Sequence, residues 1–241
     1  MASAKEIKTR INSIQDTMKI TNAMYMISSS KMQRAKRTLA DTEPFFFAQQ
    51  EAAARCFAVT PDVKCRYFGR EKEEADKVRG YIVITGDKGL AGAYNQNILK
   101  LAQQHMAEHP NNRLYVIGEL GRHYFQAKGL EVDENFRYTV QDPTLFRARE
   151  IAGKMIDKYN EGELDEVYVV YTRMINAFRM DAEIKQLLPL DKEALTEIDV
   201  SKYKDLTTFH PSVEEVLNNL IPNIVSGYLY GTLVEDRKSV V

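Results

Sequence analysis

The chain has 241 residues, 44% of them hydrophobic and 28% charged, enough for one large or two small domains around an ample core. Its net charge of −1 conceals a split: residues 1–40 carry eight Lys or Arg against Glu6 and Asp16, a net of +6, and the rest of the chain a net of −7. Tryptophan is absent and no basic, aromatic-interleaved segment occurs, which argues against nucleic acid; no run approaches the ~20 apolar residues of a membrane helix, and the apolar core of a secretory signal is missing.

Residues 1–43 contain neither glycine nor proline. An apolar or small residue recurs at steps of four and three: Ile7, Ile11, Ile14, Met18, Thr21, Tyr25, Ser28, Met32, Ala35 and Leu39. That alternation is the 3.5-residue period of a helix seam that winds around a partner. At ~1.5 Å per residue the helix would reach roughly 60 Å, too long for a compact domain to bury, so it must project. The small residues Ala23, Ser28, Ser29 and Ser30 at mid-length suit a surface that slips rather than sticks. Pro44 should kink or end this helix, with an Ala-rich helical stretch continuing to about Val59. The first unit is therefore set at residues 1–60, and 61–79, ending in a mixed charge run from Glu71 to Arg79, reads as a solvated linker or helix end.

The period changes at Gly80. Tyr81–Thr85 is apolar on both faces, as a buried parallel strand should be. A glycine turn follows over Gly86–Gly92, then a helix over Asn95–Met106, a strand over Leu114–Ile117 and a helix over Leu120–Lys128 stopped by Gly129. Asp142-Pro143 marks a helix start, Leu145, Ala148, Ala152, Met155, Ile156 and Tyr159 line one helix face, and Gly162 is the stop. Val167–Tyr171 is a third strand and Ala182–Leu188 a candidate fourth, with an antiparallel placement open. Residues 80–190 thus form a small three-layer α/β domain of Rossmann-like type, inserted between two long helices. Residues 191–211 read as an exposed loop. Ser212 with Glu215 forms a capping box that opens a second long helix over 212–241, on the spacing Val213, Leu217, Leu220, Ile224 and Leu229, with Pro222 a local irregularity. The two long helices should lie against each other as an antiparallel coiled coil.

Chemistry is sparse. Gly86, Gly89 and Gly92 stand where phosphates bind in doubly wound folds, but G-x-x-G-x-x-G is neither the dinucleotide nor the P-loop spacing, and no acid follows Ile117 to hold a ribose. A tight structural turn is the favoured reading. His105 and His109 have zinc-like spacing, yet Pro110 ends their helix and no third ligand is apparent, so no metal site is expected. Cys56 and Cys65, nine apart with no C-x-x-C pattern, read as two unpaired thiols of a reducing compartment. No cofactor or catalytic constellation is expected. The bases Lys31, Arg34, Lys36 and Arg37 either keep a helix soluble or meet an acidic partner.

These residues carry a resemblance. Ala4–Lys8 with Ile11, Lys19–Met26 and Ser30-Lys31-Met32 are similar to the N-terminal helix of the F-type ATP synthase γ subunit. Gly86–Asn95 resembles that family's glycine turn, with Ala91 and Tyr94 in place of its cysteine and leucine. Ala148–Ala152, Leu164–Tyr168, Gln186–Leu190 and Pro211–Leu220 with Tyr228 and Tyr230 follow in the family's order. After Glu235 the family continues for several dozen residues, whereas Asp236–Val241 matches nothing and the family's C-terminal helix end is lacking. The resemblance implies a non-catalytic rotor of a proton-translocating ATP synthase, a central stalk turning inside the ring of α and β subunits. Its α/β domain would be a foot on the ε subunit and the c-ring, at the cytoplasmic face of the cell membrane. It also implies that Met24, Lys31, Arg34, Lys36 and Arg37 face β. The alternatives left by the residues are a small nucleotide-binding α/β protein using the glycine turn and a free coiled-coil adaptor.

Overall fold

The computed structural model describes residues 3–88, 93–140, 143–176, 179–201, 203 and 208–240, with the side chains of 237–240 left out. The first helix, α1 (Ala4–Val59), runs unbroken for 56 residues, about 85 Å. Ser3 and Glu6 close a capping box at its start, the Ser3 N–H donating to the Glu6 carboxylate at 2.8 Å. Of the two outcomes expected at Pro44, a kink or an end, the helix does not end there. Proline deprives the Ala40 carbonyl of its donor, but Ala40 and Pro44 are both exposed, so water satisfies the freed group. The buried Phe46 two residues on holds the chain in line.

Four strands form one sheet in the order β2-β1-β3-β4: β1 (Arg79–Ile84), β2 (Asn112–Ile117), β3 (Glu166–Met174) and β4 (Met180–Leu188). β1 is parallel to β2 and β3, and β4 closes the edge antiparallel to β3. Every residue of β1 is buried, because helices cover both faces. Tyr81, Val83, Leu114, Val116 and Val170 pack in one core with Ile98, Leu99 and Ala102 of α2 (Tyr94–Glu108) and Phe125 of α3 (Glu119–Ala127). Ile82, Ile84, Ile117, Val167 and Val169 pack in the other with α4 (Leu145–Glu161), α6 (Val213–Val240) and the second half of α1. Entry to α3 needs Gly118: its φ is 98°, and a Cβ there would lie 2.0 Å from the Thr85 carbonyl oxygen.

Some local expectations are corrected. α4 is capped by Thr144, whose hydroxyl accepts from the Arg147 N–H, so Pro143 precedes the cap; Asp142 lies outside the described residues. The left-handed Gly162 does stop this helix. The stretch read as an exposed loop contains a short helix, α5 (Lys192–Thr196), capped by Asp191 and anchored by buried Leu195. Beyond it, the Tyr203 hydroxyl donates to Glu51 at 2.8 Å and its ring lies 4.5 Å from the Arg55 guanidinium, tying the segment to α1. The charge run before β1 is built into the fold at its far end. Lys72 pairs with Asp165 at 2.7 Å, and Lys77 and buried Arg79 both pair with Glu166. α6 opens with the Ser212 hydroxyl accepting from the Glu215 N–H and passes through Pro222 without ending.

Candidate functional site

α6 packs on α1 running the opposite way. Arg34, Ala35 and Thr38 lie beside Tyr230 and Val234, Phe46 against Gly227, and Cys65, just past α1, reaches Asn218 at 3.6 Å. Cover over the seam therefore begins near Met32, which is half-buried, and Ala35, which is buried. Ahead of it Ile7, Ile11, Ile14, Met18 and Tyr25 are 50–72% exposed, as is Met24 at 57%. Lys31, Arg34, Lys36 and Arg37 are exposed, and among the described residues none of them makes an ion pair. The described structure thus presents a long helix that is apolar along one stripe and basic around it, with nothing packed on its first six turns.

Gly86, the first residue of the turn after β1, is bonded through both its backbone polar groups. The Gly86 N–H donates to the buried Asn95 side chain at 2.8 Å, and the Gly86 carbonyl accepts from the Leu120 N–H at 3.2 Å. Gly89 and Gly92 lie outside the described residues. β1 is flanked by β2 on one side and β3 on the other, so the crevice over the carboxyl ends of β1 and β3 is where open α/β sheets receive ligands. Here α6 fills it: the Tyr94 hydroxyl at the start of α2 donates to the carboxylate of Asp236 on α6. Sequence reasoning missed Asp236, although it falls on the spacing Leu229, Leu233, Asp236 of the buried helix face, and an acid on an apolar stripe is a signal.

His105 and His109 do approach, ring centroids 4.9 Å apart. The His105 Nδ1 is taken by the Tyr81 hydroxyl at 2.7 Å, and burial, then the neighbouring His109, holds this imidazole below its ordinary range. No cluster of three potential metal ligands exists among the described residues. Cys56 and Cys65 are free thiols; burial pushes Cys56 up to about 11, which leaves it unreactive. Among the described residues no helix is long and apolar enough to cross a membrane.

A sequence pattern described as ATP synthase matches residues 3–240. The ATP synthase gamma chain of Ruminiclostridium cellulolyticum is 43% identical over 235 residues, covering 96% of this chain and 80% of that one. The "ATP synthase gamma chain, sodium ion specific" of Acetobacterium woodii is 33% identical over 252 residues, covering 98% and 82%. A chain of the central stalk and c-ring of Tetrahymena thermophila mitochondrial ATP synthase, 20% identical, shares the fold with a TM-score of 0.62 over 91% of this chain and 93% of its own. A long projecting helix beside a second one, on an α/β domain with its ligand crevice plugged, is the architecture of a mechanical part. The chain belongs to the γ family of the F-type ATP synthases, the central-stalk rotor subunit rather than the catalytic one.

Proposed function

We propose that α1 and α6 form an antiparallel coiled-coil shaft that turns inside a ring of α and β subunits, and that the Rossmann-like α/β domain is the foot that meets ε and the c-ring. The observation that carries this is the stripe Ile7, Ile11, Ile14, Met18 and Tyr25, half or more exposed on a helix held at one end only. Roughly 25 cal/mol is gained per Å² of such surface removed from water, so the stripe is stable in solution only as an interface in waiting. Met24, Lys31, Arg34, Lys36 and Arg37 on the same helix are assigned to the contact with β, whose facing surface must then be acidic. Torque enters through the foot and leaves through this helix. The complex sits peripherally at the cytoplasmic face of the membrane, reached by this chain only through its partners. The coupling ion of this reading is the proton, as the resemblance to the F-type family implies.

The test is reconstitution of the chain with α and β subunits. A stoichiometric complex, with ATP hydrolysis absent from the chain alone, supports the reading. A chain that ignores α and β but binds ATP saturably at the Gly86 turn overturns it, and so does self-association without those subunits.

A further inference from the structure

Asp236 is fully enclosed, 0% exposed. Among the described residues the charged group that acts on it is another acid, Asp87, in the turn that follows β1. Both carboxylate oxygens of Asp87 and the Oδ2 of Asp236 are shut away from solvent without a hydrogen-bond partner. The other oxygen of Asp236 accepts from the Tyr94 hydroxyl, and the Thr172 main chain of β3 adds a second hydrogen bond to the carboxyl. Tyr94 is itself buried, and burial followed by the charge of Asp236 keeps its hydroxyl protonated and donating. Among the described residues no ion pair joins a cation to either carboxylate. Glu235, the adjacent acid on α6, accepts from the Met174 N–H at 3.3 Å and lines a groove with Arg173, and Arg34 of α1 lies beside Val234 and Tyr230 instead.

A fully buried carboxyl with one oxygen lacking any donor is disfavoured as the anion. A proton or a bound cation must balance it. The described residues offer no third His, Cys, Asp or Glu to complete a cation site, which favours the proton. We propose that Asp236 holds a proton in the folded chain, and that this proton fastens α6 onto the crevice between β1 and β3, making the grip of the long helix on the α/β domain sensitive to pH.

Burial pushes Asp236 up to about 7, and the Asp87 charge adds to it, against the pull of the Tyr94 and Thr172 hydrogen bonds. Glu74, Asp165 and Glu166 are by contrast held low, so Asp236 stands apart from the other shifted carboxyls. A folded-state value above the ordinary 3.8 means that the folded chain binds this proton more tightly than the unfolded one. The stabilisation is complete below the ordinary carboxyl range and is lost as pH rises through about 7.

The experiment is infrared titration of the full chain, with melting temperature followed over the same pH range. The carbonyl band of a protonated carboxylic acid should vanish with a midpoint near 7 and be missing in Asp236→Asn, which keeps an acceptor for Tyr94. The melting temperature of the unaltered chain should fall across that midpoint, and that of Asp236→Asn should stay level. Should Asp236→Asn not fold, Asp87→Asn serves: with the like charge gone, the band must persist but its midpoint move to lower pH. Absence of the band, or the same pH profile with and without Asp236, overturns the proposal. So does stabilisation above the midpoint by sodium or magnesium chloride that is lost in Asp236→Asn, which would assign the pair to a cation.

Discussion

A Cβ placed on Gly227 of α6 would stand 2.3 Å from Cδ1 of the Phe46 ring on α1. The two long helices therefore approach each other through the missing side chain of a glycine, and the aromatic ring occupies the space it leaves. Gly231, one turn further along the same helix, has nothing within 4 Å of such an atom.

The two glycines should respond with opposite sign. Gly227→Ala drives a methyl into the buried Phe46 ring, which must shift to admit it, and overpacking of this kind costs ~1–3 kcal/mol. Gly231→Ala meets open space and should gain up to ~1 kcal/mol from helix propensity. Equilibrium urea unfolding of both variants checks the pair, and equal effects would show that helix contact is not the cause.

Acid should loosen the chain at a second place by the ordinary route. Burial alone would raise Glu166, but its bonds from Lys77 and Tyr168 and the charge of Arg79 outweigh that and hold it below 4.5. A lowered carboxyl contributes stability above its unfolded value that is lost as pH falls through the folded one. Glu166→Gln should therefore flatten the acid limb of the stability profile below about pH 4.5 while lowering neutral-pH stability by ~1–3 kcal/mol, since buried Arg79 loses one carboxylate but keeps its ion pair with Glu74. Denaturant midpoints measured from acid to neutral pH decide it.

Reversing Arg34, Lys36 and Arg37 to Glu should leave the fold intact, since all three are exposed and each surface charge is worth ~1 kcal/mol or less to stability. Association with the α and β subunits should slow, and its dependence on salt should weaken or reverse. Stopped-flow association at two ionic strengths reads this out; unchanged rates would remove the charge assignment.

Replacing both His105 and His109 should leave metal content unaltered, because one nitrogen of His105 is already spent on Tyr81 and no third ligand stands by among the described residues. Elemental analysis of the purified chain is the measurement. Zinc present, and lost on substitution, would overturn the assignment.

The change of period at Gly80 was legible because β1 is covered on both faces and, after Arg79 and Gly80, carries only Tyr81, Ile82, Val83 and Ile84. The stripe on α1 was legible for a different reason: period 3.5 requires a partner wherever the partner is. At Pro44 the sequence left open a kink or an end, because proline's penalty depends on whether the freed carbonyl is buried, and a local pattern holds no information about that. α5 was hidden by its shortness, one turn held by the Asp191 cap and a single buried leucine. The filling of the ligand crevice by α6 could not be read either, since Asp87, Tyr94 and Asp236 meet only once the sheet has brought the end of the chain over the end of β1. For Lys31, Lys36 and Arg37, sequence and structure agree on exposure; their role depends on a surface supplied by another chain.

The stretch of α1 that runs ahead of its clasp at Ala35 extends roughly 45 Å at ~1.5 Å per residue. It behaves as a cantilever. Sideways load near Ala4 is multiplied along that arm and arrives as a bending moment at the root, between Ala35 and Phe46, where Pro44 has already removed one backbone bond from the helix. Stiffness is set at the root, so substitutions around Phe46, Gly227 and Pro44 should alter how far the distant tip deflects more than any change at the tip itself.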